Sequence, residues 1–467
     1  MSSGAGAGPR PGPLVRALDH LSTWKPGRHG RLGPRGAQAV LAARRALGLG
    51  IGRVMRLQRR RLHGVRFVGI TGSCGKTTTK ELAAAVLASR LDGVYSPSTR
   101  NSLFAVAVTL LRTRRHHAFC VQEVGSWGPG TLVRSVTLLE PDVAVVTNVG
   151  ADHYKAFRTL EATAREKRTL VEGLGPGGVA ILNADDPHVA GMAASAPGRV
   201  TTYGLSAHAD VRATDVVDAW PERLQFTVHH AGRSLPVRTR LVGAHLVPCV
   251  LAALAVGIEL GVPLEDAVAA VGRVEPWRAR MSPVELEDGV VFVRDDWKAP
   301  LWSVPPALAF LRSARAERRI AVIGTLSDYP GSNEKRYAAV ARQALDAADH
   351  VVFVGRWARG ALRAAPPGRP DALLAFERVE EAAEHLRQFL RPGDLVLLKG
   401  SLTVDHLDRI IEMRAAAAGR GASGGPDARG RLAAEPAGDA PQNGVAGRRA
   451  TAPSPAAERV AGAGRRP

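Results

Sequence analysis

The sequence predicts an α/β protein with two parallel-sheet domains. Short apolar runs alternate with helical patterns from residue 65 to about residue 414, and polar residues cluster where the runs end. This arrangement is typical of buried parallel strands with ligand-binding groups at their carboxyl edge. A Gly-rich loop follows the first run, and both ends of the sequence are rich in Gly and Arg. We therefore predict a P-loop parallel-sheet central domain and a Rossmann-like C-terminal α/β domain, flanked by flexible basic termini.

The first apolar run leads into the stretch FVGITGSCGKTTTK at residues 67–80, which organises the rest of the chain. Gly72 and Gly75 permit a tight turn, Lys76 supplies a charge, and three threonines precede a helical run. A strand, loop and helix start in this order form a phosphate site, because backbone N–H groups face the anion and a Thr hydroxyl can bind Mg²⁺. Ile70 stands where the strict Walker spacing has Gly, so the match is to the shorter form GxxGKT. The alternative, a Gly-rich turn with a surface lysine, does not account for the threonines.

The other predicted strands follow the same pattern of short apolar runs. They cover residues 118–124, 142–148, 178–183, 290–296, 318–326, 350–355 and 394–401. Residues 200–240 alternate in polarity and predict a small antiparallel addition, and residues 246–261 predict a helix.

The positive charge is concentrated at the two ends of the chain. Of the net charge of +20, residues 1–64 carry +12, residues 415–467 carry +4 and residues 65–414 carry +4. We therefore expect no nucleic-acid binding by the core. Residues 37–62 predict a helix with apolar and Arg-rich faces, which either packs on the body or lies on an anionic membrane surface.

Cysteine use and hydropathy bear on the cellular compartment. Cys74, Cys120 and Cys249 form no CxxC pair, so neither a disulfide framework nor a zinc site is indicated. No apolar run reaches 18 residues, and no signal-peptide pattern is present. We expect a cytoplasmic protein.

Three residues near strand ends are candidates for chemistry. Glu123 ends a strand about 45 residues after the loop, where its carboxylate can meet a loop-bound Mg²⁺, and His153 is a second candidate ligand. The alternative for Glu123 is a solvated or capping group. Lys167 lies among Arg165, Glu166 and Arg168, so by residue type alone it is an exposed helix lysine.

Nine motifs occur together between residues 65 and 414. They are TGSCGKTT (71–78), RNSLFAVAVTLL (100–111), EVGSWGPG (123–130), VVTNVGADH (145–153), AREKRTLVEGL (164–174), ILNADDP (181–187), GAH (243–245), DDWKAP (295–300) and LLKGS (397–401). Together and in this order they resemble the Mur ligases, the ATP-dependent amide-forming family of peptidoglycan synthesis. The assignment is then residues 1–64, basic N-terminal arm or helix; 65–279, central ATP-binding domain; 280–414, C-terminal domain; and 415–467, disordered tail.

The resemblance implies roles for individual residues. Nucleotide contacts are implied for Gly72, Ser73, Gly75, Lys76, Thr77, Thr78, Asn148, His245 and Arg280. Thr77 and Glu123 are implied to bind one Mg²⁺ and His153 a second, with Lys167 carbamylated by CO₂ to become a further metal ligand. Catalytic roles are implied for Lys76, His153, Lys167 and Asp296. The remaining implied contacts are Asn183 and Asp185 in the nucleotide and acyl sites, Asp295 in the cleft, and Lys399 and Ser401 at the amine substrate.

The implied activity is an ATP-dependent carboxylate–amine ligase of cell-wall synthesis or of a related peptide or polymer biosynthesis. An acyl phosphate is the implied intermediate, and ADP and phosphate are the products. The partners are a small-molecule or peptide carboxylate and an amine, either an amino acid or a dipeptide, and we expect a monomer. The alternatives are a P-loop phosphotransferase or NTPase, and a non-catalytic ATP-binding scaffold.

The sequence departs from the family pattern in three places. Only 64 residues precede the loop, without the α/β pattern of a UDP-sugar-binding domain, so we expect that domain to be lacking. Trp297 and Lys298 stand where the family has Tyr and Asn, and Leu246 and Cys249 replace the Asn residues usual after the GAH motif. A lysine at position 298 suggests the hypothesis that the cleft takes a more anionic substrate.

Overall fold

The computed structural model describes residues 52–421 and contains two β-sheets. Residues 1–51 and 422–467 lie outside the described part, and with them the predicted flexible N-terminus, most of the predicted helix 37–62 and most of the predicted tail. Between residues 52 and 421, no helix is both long and apolar enough to cross a bilayer.

The first sheet has nine strands in the order β2-β3-β1-β4-β5-β6-β7-β8-β9. They are Arg66–Thr71 (β1), Gly93–Tyr95 (β2), Phe119–Glu123 (β3), Val143–Val146 (β4), Val179–Asn183 (β5), Arg199–Gly204 (β6), Val211–Val217 (β7), Gln225–His230 (β8) and Arg233–Arg238 (β9). Strands β1 to β6 pair in parallel. The carboxyl ends of β1, β3, β4 and β5 therefore meet at one edge, which is the arrangement predicted from the sequence.

The predicted antiparallel addition at residues 200–240 is confirmed in part. Strands β7, β8 and β9 are antiparallel to one another, but β6 pairs in parallel with both β5 and β7. Because β7 pairs with β6, the addition continues the large sheet and is not a separate unit.

Helices cover both faces of the first sheet. They are residues 52–60 (α1), Lys76–Ala88 (α2), Leu103–Arg112 (α3), Leu132–Leu139 (α4), Tyr154–Phe157 (α5), Leu160–Glu172 (α6), Pro187–Ala190 (α7), Val247–Glu259 (α8) and Leu264–Val271 (α9). Alternate residues of β1 enter two different cores: Val68 and Ile70 pack with α2 and α8, whereas Phe67 packs with α1, α3 and α4. This alternation follows from the two-residue period of a strand, and it fixes β1 at the centre of the domain.

The described part of the predicted basic helix packs on the body. Met55 and Leu62 are each 2% exposed and join the core beneath the first sheet. Arg59 is also buried, and its guanidinium donates hydrogen bonds to the carbonyl oxygens of Leu139 (2.8 Å) and Glu140 (2.7 Å).

The second sheet has six strands in the order β10-β11-β15-β12-β13-β14, and only β10 is antiparallel to its neighbour. The strands are Ser282–Glu285 (β10), Val291–Asp295 (β11), Arg318–Ile323 (β12), His350–Val354 (β13), Leu373–Phe376 (β14) and Asp394–Lys399 (β15). The helices of this domain are Val304–Ser313 (α10), Asn333–Leu345 (α11), Val379–Phe389 (α12) and Asp408–Gly421 (α13).

The last helix extends past residue 415, where the disordered tail was predicted to begin. Helix α13 continues to Gly421. Ile410 and Ile411 are buried and fix the start of the helix, and the alanines that follow at 415–418 have the highest helix propensity of any residue. The helix therefore overlaps the first residues of the predicted tail, and residues 422–467 lie outside the described part.

Candidate active site

The phosphate loop, residues 71–78, connects β1 to α2 and has glycine where a side chain would collide. Gly72 has φ 148°, and a Cβ atom there would lie 1.8 Å from the hydroxyl oxygen of Thr147. Gly75 has φ 78°, and a Cβ atom there would lie 2.8 Å from the sulfur of Cys249. Both positions thus require glycine for the turn and for the close packing around it.

The segment after β4 holds the phosphate loop in place. The side-chain oxygen of Asn148 accepts hydrogen bonds from the backbone N–H groups of Ser73 (3.1 Å) and Cys74 (2.9 Å). The backbone N–H of Gly150 donates to the Ser73 hydroxyl oxygen at 2.8 Å. Asn148 and Ser73, both predicted to contact nucleotide, are therefore placed in the network that shapes the loop.

The start of helix α2 is open to an anion. No side chain caps its first turn, where backbone N–H groups have no partner within the helix. The ammonium group of Lys76 folds back onto the loop and donates to the carbonyl oxygens of Gly72 (2.6 Å) and Ser73 (3.3 Å). Thr78, in the same turn, is 8% exposed. Uncapped N–H groups beside a lysine are suited to a polyphosphate.

Thr77 and Glu123 contact each other directly. The Thr77 hydroxyl donates to Glu123 Oε2 at 2.8 Å, and Asn101 Nδ2 donates to Glu123 Oε1 at 2.8 Å. Glu123 is 2% exposed, so the alternative of a solvated group is wrong. A hydroxyl beside a buried carboxylate is a suitable oxygen donor set for Mg²⁺. Asn101 was not predicted as a site residue, although it lies in one of the nine motifs.

Asp152, for which no role was predicted, joins several charged groups. Its carboxylate is 3.7 Å from His153 Nε2 and accepts a hydrogen bond from Lys298 Nζ at 3.0 Å. Burial raises the pKa of Asp152, but the ammonium groups of Lys76 and Lys298 outweigh burial and lower it to about 2. Burial lowers the pKa of His153, which favours the neutral imidazole that can bind a metal.

Lys167 is buried in this charged cluster. It lies on α6 and is 2% exposed, so the alternative of an exposed helix lysine is wrong. Burial, reinforced by the positive charge of Lys76, lowers its pKa to about 7, against the opposing influence of Asp152. The Asp152 carboxylate therefore interacts electrostatically with Lys167, Lys76 and His153.

Two residues of the C-terminal domain reach the loop at 150–152. Lys298 Nζ lies 3.0 Å from both Asp152 Oδ1 and Asp328 Oδ2. A Cβ atom on Gly150 would lie 2.6 Å from the indole ring of Trp302, so glycine permits this packing. Two carboxylates already compensate the Lys298 charge, which argues against the hypothesis that it selects an anionic substrate.

The predicted site residues Asp295 and Asp296 are adjacent in sequence but have different surroundings. Lys399 Nζ donates to Asp295 Oδ2 at 2.6 Å, which brings the DDWKAP and LLKGS motifs together. Asp296 is fully buried and accepts two hydrogen bonds from Arg294, at 3.0 and 2.8 Å. Asp296 is thus engaged within the protein in this conformation, and its catalytic role stays a prediction.

His245 and Arg280 lie near the junction of the two sheets. His245 is in the electrostatic field of Asp295 and Lys399, although burial dominates and lowers its pKa. The Arg280 guanidinium lies 5.6 Å from the centre of the Trp297 ring, and its Nε is buried without a hydrogen-bond partner among the described residues. An unpaired buried donor is costly, so Arg280 is suited to an anionic group.

The other predicted contacts are engaged within the protein. Asp185 accepts hydrogen bonds from the backbone N–H groups of Leu205 (2.7 Å) and Ser206 (2.9 Å). Asn183 Nδ2 donates to the Thr147 carbonyl oxygen at 2.9 Å. The backbone N–H of Ser401 donates to Asp405 Oδ2 at 2.7 Å. Asp185 and Asn183 therefore stabilise loops at the strand ends.

Comparisons with known proteins agree with the motifs. The Mur ligase middle domain matches residues 70–257, and the Mur ligase, glutamate ligase domain matches residues 279–402. The UDP-N-acetylmuramoyl-tripeptide–D-alanyl-D-alanine ligase of Mycobacterium tuberculosis is 31% identical over 361 residues, which span 72% of this chain and 71% of that protein. The enzyme of the same name from Bacillus subtilis is 26% identical over 346 residues, spanning 72% and 73%.

A solved structure shares the fold. The crystal structure of MurF from Acinetobacter baumannii aligns with a TM-score of 0.72 at 26% identity, covering 79% of this chain and 80% of that one. The predicted fold class and family resemblance are confirmed. The chain therefore belongs to the Mur ligase family and is an ATP-dependent ligase that joins a carboxylate to an amine.

Proposed function

We propose that this ligase joins a carboxylate of a peptidoglycan peptide precursor to an amine and releases ADP and phosphate. The observation that carries the proposal is the Thr77–Glu123 pair beside the uncapped start of α2. Lys76 stands in the same turn, close enough to influence Lys167 and Asp152. Cations and oxygen donors close together support the proposal, because transfer of a terminal phosphoryl group requires both.

ATP and Mg²⁺ are the proposed cofactors. Thr77 and Glu123 would hold one Mg²⁺, and His153 and Lys167 would hold a second. The donor chemistry fits, since Glu123 is buried with a hydroxyl against it and His153 favours the neutral ring. When bound, Mg²⁺ would neutralise charge on the phosphoryl oxygens.

The proposed reaction has two steps. A carboxylate oxygen of the acyl substrate attacks the γ-phosphorus of ATP, and ADP leaves. The amine nitrogen then attacks the acyl carbonyl, the C–O bond breaks, phosphate leaves and a proton passes from nitrogen to solvent. Lys76 would bind the transferred phosphoryl group, and the C-terminal domain would exclude water from the acyl phosphate.

Carbamylation of Lys167 is part of the proposal. With its pKa lowered to about 7, a large fraction of the side chain is neutral amine near neutral pH. The amine nitrogen can attack the carbon of CO₂ and lose a proton to water, which forms a carbamate. A negatively charged carbamate would then attract the ammonium group of Lys76, which opposes a positive charge on Lys167.

The relatives' names suggest the substrate class. They name a UDP-N-acetylmuramoyl-tripeptide and D-alanyl-D-alanine, so we propose a muramoyl-peptide carboxylate and an amino acid or dipeptide here. Asp295 and Lys399 would serve the amine-bearing substrate, because this pair lies at the carboxyl ends of β11 and β15. We also propose that the protein is a monomer and that its basic N-terminal segment contacts an anionic membrane.

Amine-dependent release of ADP tests the proposal. Purified protein would be incubated with ATP, Mg²⁺ and a panel of muramoyl peptides, with and without amino acids or D-amino-acid dipeptides. We expect ADP release that requires both the carboxylate and the amine. ADP formation without the amine would indicate a phosphotransferase or NTPase, and no release with any pair would indicate a scaffold.

A further inference from the structure

The edge of the first sheet opposite the active site carries a basic surface. Strands β1, β2, β3 and β4 are parallel, so the segments that precede them meet at one amino-terminal edge. Helix α1 precedes β1, and the loop at residues 113–118 precedes β3. The backbone N–H of Arg66 donates to the Ala118 carbonyl oxygen at 2.9 Å, which joins the two segments.

Six exposed arginines lie on α1, on the turn that follows it and on the loop before β3, and we call them the amino-edge basic surface. They are Arg53, Arg56, Arg60, Arg61, Arg114 and Arg115. None of them forms an ion pair with any residue between 52 and 421. Asp92 and Glu140 are exposed acids at the same edge, and they leave an excess of positive charge.

Two aliphatic side chains are exposed among these arginines. Val54 and Leu57 are each 58% exposed, and they lie one helical turn apart on the outer face of α1. The opposite face of the helix is anchored, since Met55 is buried and Arg59 donates to two main-chain carbonyl oxygens. The outer face is therefore held in a fixed orientation.

We propose that the amino-edge basic surface, with Val54 and Leu57, docks on an anionic phospholipid bilayer. Arginines are attracted to anionic headgroups, and aliphatic side chains between them gain by entering the acyl boundary. Nucleic acid would use the same charge, but it offers aliphatic side chains no apolar layer, so the observations favour lipid. The inference extends the proposed membrane contact of the N-terminal segment to a defined face that includes the loop before β3.

The location of the surface determines how the enzyme is oriented. The active site follows the other end of β1, roughly 17 Å away at 3.3 Å per residue. A bilayer at the amino edge would leave the cleft pointing away from the membrane. Binding to lipid is therefore independent of the ligase reaction, and the two proposals fail separately.

Vesicle sedimentation tests the inference with the full chain. The vesicles contain phosphatidylcholine alone or with one-third phosphatidylglycerol, at near-physiological salt. We expect binding only to the anionic vesicles. Replacing Arg53, Arg56, Arg60 and Arg61 with Gln should weaken the partition coefficient at least about tenfold, because each arginine near the surface contributes separately. The basic residues at 1–51 remain, so binding should decrease without vanishing.

A matched variant controls for net charge. Arg233, Arg238, Arg240 and Arg273 are exposed near β9, at the far end of the sheet, and their replacement with Gln removes the same charge. This variant should bind vesicles like the original protein. The double variant Val54→Ser and Leu57→Ser keeps every charge and should still lose binding severalfold.

Three results would overturn the inference. The first is that the original protein does not bind anionic vesicles. The second is that the two four-arginine variants lose vesicle binding equally. The third is that the protein binds an RNA oligonucleotide in place of vesicles, through Arg53, Arg56, Arg60 and Arg61. Circular dichroism melting would verify that each variant is folded, and Arg59 is left intact for this reason. Ligase activity of all variants should match that of the original protein.

Discussion

At the residue scale, the site contains buried charged side chains that are stabilised by hydrogen bonds from their neighbours. Glu123 is buried because Thr77 and Asn101 satisfy both of its oxygens. Burying a carboxylate is costly unless hydrogen bonds replace those to water. The two contacts also fix the orientation of the Glu123 carboxylate beside the Thr77 hydroxyl.

Glu123→Gln should lower kcat by about 100-fold, in the range of losses for a removed charge-stabilising group. Glutamine retains the shape and can still accept a hydrogen bond from Thr77, so the fold should remain. Steady-state ADP release at several Mg²⁺ concentrations would measure the effect. The control is Glu172→Gln at the exposed end of α6, where Glu172 pairs with Arg168. A Glu123 variant that retains activity within twofold would contradict the metal assignment.

At the element scale, helix α1 is attached to the body through one buried cation. Arg59 lies 3.9 Å from the centre of the Phe67 ring and donates to the carbonyl oxygens that end α4. Its charge also lies 3.3 Å from Asp142, whose carboxylate accepts from the Phe67 backbone N–H. Arg59 thus connects α1, α4 and β1.

Arg59→Ala should therefore destabilise the protein by about 2–3 kcal/mol, since it leaves buried carbonyl oxygens and Asp142 without their donor. Arg60→Ala should cost less than about 0.5 kcal/mol, because Arg60 is exposed on the other side of the same helix. Urea unfolding of both variants would give the difference. Equal losses would show that α1 is not anchored through Arg59.

His350, the first residue of β13, should make the stability of the C-terminal domain depend on pH. His350 is 4% exposed and stacks on Phe389 of α12, with ring centres 4.1 Å apart. Burial, together with the nearby His385, lowers the pKa of His350 to about 4, whereas the unfolded side chain titrates near 6.5. Above a pH of about 6.5, His350 is neutral in both the folded and the unfolded chain, and the free energy of unfolding has its full value. As the pH falls towards 4, the free energy of unfolding decreases, because only the unfolded chain takes up a proton at this residue.

The expected loss is up to about 3 kcal/mol, at about 1.4 kcal/mol for each pH unit of difference. His350→Phe should remove most of this dependence and keep the stacking on Phe389. Samples would be equilibrated in urea at several pH values and then labelled by a hydrogen-exchange pulse at one fixed pH, with protection read in β13. His385→Gln, at the less buried partner, is the comparison. Identical pH dependence in His350→Phe would contradict the assignment.

At the scale of the whole molecule, Lys298 and Trp302 dock the C-terminal domain on the central domain. Lys298 contributes a cation between Asp152 and Asp328, one from each domain. Without it, two carboxylates would face each other across the domain junction, and like charges at this distance repel.

Lys298→Met should open the junction between the domains and raise the KM for ATP severalfold. Methionine keeps the length of the side chain but removes the charge that Asp152 and Asp328 share. Small-angle X-ray scattering would show a larger radius of gyration for the free protein, whereas Lys298→Arg should match the original. An unchanged radius in Lys298→Met would show that Lys298 does not hold the domains together.

Most of the fold and part of the site were predictable because they depend on local sequence. Short apolar runs specify strands, and Gly72, Gly75 and Lys76 specify the phosphate loop at the end of one. Asp152 and Lys298 illustrate what was missed, because they are 146 residues apart and only domain docking brings them within 3.0 Å. The hydrogen bonds from Arg294 to Asp296 were also missed, because they depend on the burial of both side chains.

The sequence by itself determined that two α/β sheets exist, that a phosphate loop follows β1, and that nine motifs in order are those of a Mur ligase. These are properties of short segments, set by side-chain period and by the conformations glycine permits. Only the tertiary structure decided which partners each carboxylate has, that Lys167 is buried with its pKa lowered to about 7, and that Lys298 joins the domains. Those properties depend on burial and on charges contributed by distant segments, and no local pattern records them.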